Sequence, residues 1–324
     1  MKAPAVPLQY RLNGSRYEIE GHRSRAGFAQ LMKWQFSGGR ARWPHWIDNK
    51  SHPPPPARVQ GGTLIATWIG QSTVLLQTAG LNILTDPFLS ARASPLQWLG
   101  PRRVRAPGLH IEDLPPIDLI LLSHNHYDHM DLPALTRIAR HHRPHVVTPL
   151  GNASYIRRAL PALGIDELDW GASLHSGAAK ITVMPALHWS KRGFFDTNRA
   201  LWGAFVIETA GGIIYFAGDT GYGDGLTFRA IKASFGAPRL SLLPIGAYEP
   251  RWFMKPQHMN PQEAAAAHLD LESRTSLAIH HGTLHLTDEA IDAPVIALAE
   301  ALAAQDIAAS SFLVADVGQS IAIP

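Results

Sequence analysis

Short apolar runs separated by glycine, proline and polar residues recur along most of this chain. Thr63 to Ile69, Thr73 to Gln77 and Leu81 to Thr85 are rich in β-forming residues, with Gly70 and Gly80 at the breaks. Apolar runs of about four to eight residues between turn signals are typical of buried strands. The pattern therefore predicts three consecutive strands over this part of the chain.

Beyond residue 118, strand and helix patterns alternate. Helices are predicted at Leu132 to Arg140 and at Ala153 to Leu160, and a third begins near Pro261 and includes Glu263 to Leu269. Further strands are predicted at Leu119 to Leu122, His145 to Thr148, Lys180 to Met184, Trp202 to Glu208, Ile213 to Ala217, Arg239 to Pro244 and Ser276 to Ile279. Alternating strands and helices are typical of a layered α/β protein.

Residues 1–60 follow a different pattern. They contain four consecutive prolines, Pro53 to Pro56, which favour an extended polyproline conformation. They also contain Trp34, Trp43 and Trp46, and we expect these large aromatic side chains to pack against other parts of the chain. We therefore predict a Pro- and Trp-rich N-terminal arm over residues 1–60, packed on a main domain over residues 61–324.

Composition indicates a globular protein with a substantial core. The 324 residues are 46% hydrophobic and 17% charged. The formal net charge is +3, and the basic residues are dispersed apart from a short cluster at Arg102, Arg103 and Arg105. A long basic stripe is the usual sign of nucleic-acid binding, so no nucleic-acid partner is expected. The charge is also compatible with a cationic mouth for an anionic substrate.

The chain contains no cysteine, which excludes disulfides, thiolate nucleophiles and thiolate metal ligands. No stretch has the length of a transmembrane helix, and residues 1–7 lack the apolar centre of a signal peptide. We therefore expect a cytoplasmic protein. The sequence carries no signal for a particular oligomeric state.

The densest candidate chemistry directly follows the predicted strand at residues 119–122. His124, His126, Asp128 and His129 lie within six residues. Alternate residues of an extended segment point the same way, so His124 and His126 can face one metal together. Asp128 and His129 come after the strand, where the chain can turn toward a second metal. The alternative, a solvated polar loop, does not explain three histidines and an aspartate at this spacing.

Three further polar residues, His188, Asp219 and His280, each lie just past a predicted apolar strand. Residues at strand ends are well placed to converge on one edge of a layered sheet. With the first cluster they make five histidines and two aspartates, which is a ligand inventory for two divalent metals. Nitrogen and oxygen ligands suit zinc, with iron or manganese as alternatives. Asp86, at another strand end, is either a turn residue or a partner that orients a ligand imidazole.

Longer stretches of the chain carry a family resemblance over approximately residues 60–290. They are Thr67 to Gly70, Leu84 to Pro87, Arg92 to Pro95, Leu114 to Asp118, Ser123 to Asp131, His188 to Arg192, Asp196 to Asn198, Leu201 to Gly203, Phe216 to Tyr222, Pro244 to Lys255, Gln257 to His258 and Ala278 to His280. These stretches resemble the metallo-β-lactamase superfamily, and in particular its branch of N-acyl-phosphatidylethanolamine-hydrolysing phospholipases D.

The resemblance implies a four-layer αββα sandwich with a dinuclear zinc site at one sheet edge. By this resemblance, the ligands of one zinc are His124, His126 and His188. The ligands of the other zinc are Asp128, His129 and His280, and Asp219 bridges the two ions.

The resemblance also assigns neighbouring roles. Asp86 would support a ligand, and His258 would lie near the substrate. The chain departs from the branch at Gln71, where histidine is common, and at His281, where tryptophan is common. Neither departure removes a metal ligand, but both change the surroundings of the site.

The implied chemistry is hydrolysis. Two metals about 3.5–4 Å apart lower the pKa of a shared water, and the resulting hydroxide attacks phosphorus or a carbonyl carbon. Asp128 would orient that hydroxide, and His258 is a candidate for protonating the leaving group. The resemblance favours a phosphodiesterase of phospholipase D type that acts on an N-acyl-phosphatidylethanolamine-like substrate.

Two alternatives to this function stay open. One is a metal-dependent hydrolase of a soluble lactone or sugar phosphate. The other is a binding protein that keeps the fold without the chemistry, and the intact ligand set argues against it.

The segment Tyr248 to Lys255 combines aromatic side chains with two cations. Connecting loops often carry recognition, so Tyr248, Arg251 and Trp252 are predicted to bind an anionic, partly apolar phosphodiester. The same residues would allow peripheral contact with a membrane. The alternative is a packed loop whose aromatic side chains belong to the core.

Overall fold

The structure is a computed structural model that describes residues 4–22, 27–36, 38–96 and 98–324. The strands are β1 (Tyr10–Asn13), β2 (Arg16–Ile19), β3 (Leu64–Gly70), β4 (Thr73–Thr78), β5 (Leu81–Thr85), β6 (Leu119–Leu121), β7 (His145–Pro149), β8 (Ile165–Leu168), β9 (Ser173–Ser176), β10 (Ala179–Met184), β11 (Ala204–Thr209), β12 (Gly212–Phe216), β13 (Leu240–Pro244), β14 (Thr275–Ile279), β15 (Phe312–Leu313) and β16 (Ser320–Ala322). The α-helices are α1 (Phe28–Phe36), α2 (Leu132–His142), α3 (Ala153–Ala159), α4 (Leu226–Phe235), α5 (Arg251–Met254), α6 (Pro261–Asp270) and α7 (Ala293–Ala304).

Most of the strands form two seven-stranded mixed sheets. The first has the order β16-β3-β4-β5-β6-β7-β8, and the second has the order β15-β14-β13-β12-β11-β10-β9. Strands β5 to β8 are mutually parallel in the first sheet, as are β12 to β15 in the second. Because the carboxyl ends of parallel strands meet at one edge, residues that follow these strands are brought together.

Side-chain alternation along the strands builds three apolar layers. Leu119 and Leu121 of β6 face the second sheet, whereas Ile120 and Leu122 face α2 and α3. On the other side, α4, α6 and α7 pack on the outer face of the second sheet. Strands buried on both faces read as continuous apolar runs. The molecule is therefore a four-layer αββα sandwich, which confirms the predicted fold.

The start of α2 fixes the end of the histidine-rich loop. The Asp131 carboxylate accepts the Ala134 backbone N–H at 3.1 Å and acts as the helix cap. The same carboxylate accepts the backbone N–H of Ser90 at 2.7 Å. The loop between β6 and α2 is thus tied to the loop that follows β5.

The arm contacts the main domain through two of its tryptophans. The Trp34 ring lies 5.0 Å from Phe253, and its indole N–H donates to Asp288 at 2.9 Å. Trp43 stacks on His285 and donates to the Glu289 carbonyl at 2.9 Å. Trp46 is 48% exposed. Residues 1–3, 23–26 and 37 of the arm lie outside the described residues, and the division at residue 60 stays a prediction.

Across the described parts of the chain, no helix is both long and apolar enough to cross a lipid bilayer.

Candidate metal centre

The structure brings all seven candidate ligands together where strand ends of both sheets meet. The group that follows β6 comes from the first sheet, and His188, Asp219 and His280 follow β10, β12 and β14 of the second. Six of the seven side chains are buried, and His126 is partly buried. The strand-end positions noted in the sequence therefore do converge.

Three histidines surround one point. The Nδ1 atom of His126 lies 2.8 Å from Nε2 of His124 and 3.3 Å from Nε2 of His188. Nitrogen ligands of a tetrahedral zinc ion, bound at 2.0–2.1 Å, are about 3.3 Å apart. The spacing of these ring nitrogens is close to that of a three-histidine zinc site.

Two carboxylates and two histidines form a second group beside the first. The Oδ2 atom of Asp128 lies 3.4 Å from Nε2 of His129 and 3.3 Å from Nε2 of His280. The Oδ2 atom of Asp219 lies 3.2 Å from both of these nitrogens. It is also 3.8 Å from Nε2 of His188. Asp219 is thus the carboxylate that faces both groups.

A glycine allows the two sheet edges to approach so closely. Gly218 has a φ of +59°, and a Cβ atom there would lie 2.8 Å from the Ser123 Cβ. Gly203 N also donates to the Ser123 carbonyl at 3.1 Å. A larger residue at position 218 would separate Asp219 from the histidines that follow β6.

Asp86 orients two of the imidazoles. Its Oδ2 atom lies 2.6 Å from His129 Nδ1 and accepts the Ser123 hydroxyl at 2.5 Å. That hydroxyl lies 2.9 Å from His124 Nδ1. The far nitrogens of both rings are therefore directed into the centre, as outer partners of metal-binding histidines usually direct them. Of the two interpretations of Asp86, the structure favours the orienting partner.

The three-histidine group is electrically neutral near pH 7. Burial, reinforced by neighbouring histidines, lowers the pKa of His124 well below its usual range. Burial also lowers the pKa of His126 to about 3 and that of His188 to about 4. Neutral imidazole is the form that binds metals.

The second group is held by opposite charges. Burial alone would lower the pKa of His280, but the carboxylates of Asp219 and Asp128 raise it to about 9. Burial alone would raise the pKa values of Asp128 and Asp219, but His129 and His280 keep both well below their usual range. These aspartates are therefore carboxylates at neutral pH, ready to bind a cation.

The donor set fits metal ions. Among the described residues, Nε2 of His129 and Oδ1 of Asp219 are buried and lack a hydrogen-bond partner. Buried polar atoms are rarely left without partners. A metal between them would satisfy such atoms, and nitrogen with carboxylate oxygen is a donor set that zinc accepts.

A cavity of about 260 Å³ opens onto this centre. His126, Asp128, Asp219 and His280 line it, and so does His258, whose Nδ1 lies 4.0 Å from Asp219 Oδ2. Lys191 also lines the cavity. The rest of the lining is largely apolar and includes Leu31, Trp34, Trp189, Phe253, Met254 and Leu286.

The three predicted substrate residues lie elsewhere. Tyr248 is buried, and Arg251 donates to Glu263 at 2.7 Å and to the His258 carbonyl at 2.9 Å. Trp252 borders a separate groove beside Lys255. None of the three is among the described residues that line the cavity. Their direct contact with a substrate stays a prediction, and the geometry favours the next two residues of the segment instead.

Sequence reasoning missed the contribution of the arm to the cavity. Leu31 and Trp34 of α1 line it, although packing was expected for the arm tryptophans in preference to ligand binding. Trp189 and Lys191 were missed as cavity residues too, although they lie one and three residues after the candidate ligand His188. That adjacency was the available signal.

Two packed sheets with a histidine and aspartate centre at their shared edge define a metal-dependent hydrolase of the metallo-β-lactamase fold. The chain belongs to the β-lactamase superfamily, because residues 81–281 match the family model described as "Beta-lactamase superfamily domain".

Two curated relatives are closely similar to the chain. The N-acyl-phosphatidylethanolamine-hydrolyzing phospholipase D 1 of Caenorhabditis elegans is 38% identical over 268 residues, covering 79% of this chain and 75% of the relative. The mitochondrial N-acyl-phosphatidylethanolamine-hydrolyzing phospholipase D of Saccharomyces cerevisiae is 40% identical over 232 residues. This match covers 69% of this chain and 48% of the yeast relative. The match thus spans about half the length of the yeast relative.

A solved structure shares the fold at lower identity. The isothiocyanate hydrolase from Delia radicum gut bacteria superposes with a TM-score of 0.63 and 22% sequence identity. The superposition covers 79% of this chain and 98% of that one.

Proposed function

We propose that this chain is a zinc-dependent phosphodiesterase of phospholipase D type, with an N-acyl-phosphatidylethanolamine-like substrate. The cavity is the observation that carries the proposal, because its lining combines candidate metal ligands with apolar side chains. A phospholipid needs both, one for its phosphodiester and one for an acyl chain. The names of the worm and yeast relatives support the same substrate class.

The proposed centre holds two zinc ions. His124, His126 and His188 would bind one ion, and Asp128, His129 and His280 would bind the other. Asp219 would bridge them, since its Oδ2 atom faces both groups. Zinc bound in this way lowers the pKa of water and polarises a phosphoryl oxygen.

The side chains around the centre would orient the attacking water and bind the substrate. Asp128 would orient the attacking water, and His258 would hydrogen-bond a substrate oxygen beside Asp219. Lys191 offers positive charge to the phosphodiester. The apolar side chains of the lining would exclude water from an acyl chain, which favours a lipid over a small polar substrate.

The test is a hydrolysis screen on zinc-loaded protein. It compares N-acyl-phosphatidylethanolamine in detergent micelles with a small soluble phosphodiester, a lactone and a sugar phosphate. We expect the highest kcat/KM on the lipid, with release of the N-acyl ethanolamine. Faster hydrolysis of the lactone or the sugar phosphate would instead support a hydrolase of soluble substrates.

We also propose that the rim of the cavity contacts an anionic membrane surface. Phe194 and Phe195 are 91% and 82% exposed, three and four residues after the cavity residue Lys191. The loop that presents them is ordered, because Asp196 Oδ1 accepts the N–H groups of Arg192 at 3.0 Å and Gly193 at 2.7 Å. An ordered loop that holds two aromatic rings in solvent is typical of an interaction surface.

Two more exposed aromatic side chains lie close in sequence to cavity residues. Phe36 is 81% exposed, two residues after Trp34, and Trp252 is 46% exposed, directly before Phe253. Residues 27–42, 189–199 and 250–257 together contain eight lysines and arginines and one acidic residue, Asp196. Apolar side chains mixed with basic ones match the interface of an anionic bilayer.

Vesicle sedimentation tests the membrane contact. The test variant carries two substitutions, Phe194→Ser and Phe195→Ser. The control variant carries Ile296→Ser, because Ile296 lies on α7 and is also exposed, at 53%. We expect the double variant to bind phosphatidylserine vesicles about tenfold or more weakly, with hydrolysis of a soluble phosphodiester unchanged. Equal binding by the parent, the double variant and the control would contradict the contact.

A further inference from the structure

Gln71 touches two candidate metal ligands that are far apart in sequence. It lies in the turn between β3 and β4 and is 1% exposed. Its side-chain Nε2 donates to Asp128 Oδ2 at 2.9 Å. Its carbonyl oxygen accepts the His280 backbone N–H at 2.9 Å. Asp128 and His280 are 152 positions apart, and Gln71 forms a hydrogen bond with each of them.

The backbone of Gln71 is itself held in place. Its φ is +52°, in the left-handed region. Its N–H donates to Thr283 Oγ1 at 3.0 Å, and its carbonyl also accepts the Trp68 indole N–H at 2.9 Å. The side-chain amide therefore projects from a fixed turn, so it is preorganised toward the Asp128 carboxylate.

An amide suits this position chemically. It donates a hydrogen bond at every pH, because it does not ionise, and it brings no charge to compete with a metal cation. It uses part of the acceptor capacity of Asp128 Oδ2 and leaves the rest of the carboxylate for a metal. Asp128 thereby keeps its negative charge and one orientation.

We propose that Gln71 is a positioning residue for the metal centre. It holds Asp128 in the orientation that binds the metal of the Asp128–His129–His280 group, and it links that group to the β3–β4 turn. The inference rests on the dinuclear centre of the proposed function. It concerns metal binding rather than contact with the substrate.

Near-isosteric variants separate this role from simple packing. Gln71→Met removes the donor but keeps the size and the main-chain contacts, and Gln71→Glu places a carboxylate opposite Asp128. Gln77→Met on β4 is the matched control, because Gln77 is also buried but bonds to Pro56 and Asn82. Zinc affinity is measured by competition with a chelator, and geometry by the absorption spectrum of the Co²⁺-loaded protein.

We expect Gln71→Met to bind the second metal about 10–100-fold more weakly, the usual cost of losing an outer partner of a ligand. The first metal should bind as in the parent, and Gln71→Glu should bind the second metal least well. Gln71→His, which restores a donor, should bind it more tightly than Gln71→Glu. If Gln71→Met does not fold, the comparison of Gln71→His with Gln71→Glu tests whether the hydrogen-bond donor at position 71 supports metal binding.

Two contrary results have different meanings. A parent protein that binds fewer than two metals contradicts the dinuclear centre, and this inference with it. A parent that binds two metals, with Gln71 variants of unchanged affinity and spectrum, contradicts only the role of Gln71. Equal loss of zinc affinity in Gln71→Met and Gln77→Met would also contradict the positioning role of Gln71. The effect would then be a general destabilisation of the fold.

Discussion

At the scale of single residues, the Asp219 carboxylate faces four histidine rings. Its Oδ2 atom lies within 4.0 Å of ring nitrogens of His129, His188, His258 and His280. Asp219→Asn keeps the shape but removes the charge that a bridging ligand supplies. We expect a loss of hydrolysis larger than the roughly 10–100-fold typical of outer partners, with fewer metals retained per chain. Metal analysis beside kinetics measures both.

A surface substitution separates this effect from a general change of charge. Asp306→Asn alters an exposed carboxylate on the chain that follows α7. It should leave metal content and activity as in the parent. Normal metal content together with full activity in Asp219→Asn would remove Asp219 from the centre.

The convergence of the candidate ligands could be predicted from sequence because each lies just beyond an apolar strand. Strand ends are visible as a change from apolar to polar residues, and parallel topology brings them together. The predicted substrate residues lacked such a signal. Arg251 is paired with Glu263 because α5 and α6 meet in space, and nothing in the residues 248–255 indicates that partner. Which side of a short helix faces a cavity depends on packing against other elements.

At the scale of elements, Arg192 joins the loop after β10 to the loop after β6. Its guanidinium donates to the carbonyls of Met130 at 2.7 Å and Asn125 at 3.2 Å, and it lies 4.1 Å from the Tyr127 ring. Arg192→Ala leaves these carbonyls without their donor. We expect a loss of about 2–3 kcal/mol in the free energy of unfolding, measured by urea denaturation.

Arg158 provides the comparison for that experiment. Its guanidinium also lies over a tyrosine, Tyr155 at 5.9 Å, but its side chain is exposed on α3. Arg158→Ala should change stability by less than about 0.5 kcal/mol. If both variants lower the free energy of unfolding by the same amount, the contacts of Arg192 between the two loops do not stabilise the protein.

Short apolar runs bounded by turn signals were predicted as strands, whereas helix α7 and strands β15 and β16 were missed. Helix α7 has apolar residues on every side, so no amphipathic period marks it as a helix. Strands β15 and β16 have only two and three residues, and they are strands because a sheet edge accepts them. Tertiary pairing defines such elements, and their local sequence does not.

At the scale of the whole molecule, the two sheets share one centre. The first sheet supplies the candidate ligands after β6, and the second supplies those after β10, β12 and β14. A metal bound there stabilises the packed form of both sheets, because unfolding separates its ligands. Removing the metals with a chelator should lower Tm by about 5–10 °C, and added zinc should restore it.

Metal analysis of the same samples makes the chelation test decisive. An unchanged Tm in a sample from which the metals have gone would show that metal binding is not coupled to the packing of the sheets. The arm adds a second whole-molecule feature that sequence could not supply. Its Leu31 and Trp34 form part of the cavity wall, which depends on where residues 27–36 dock.

The division of the ligands between two sheets also sets an order of events during synthesis. A ribosome makes the histidines after β6 well before His280, which follows Asp128 by 152 positions. At about 5–20 residues per second, that interval is roughly 8–30 s. The nascent chain has an incomplete ligand set during this time. Catalytic competence therefore arrives late and abruptly, so the enzyme cannot act before its second half has been made.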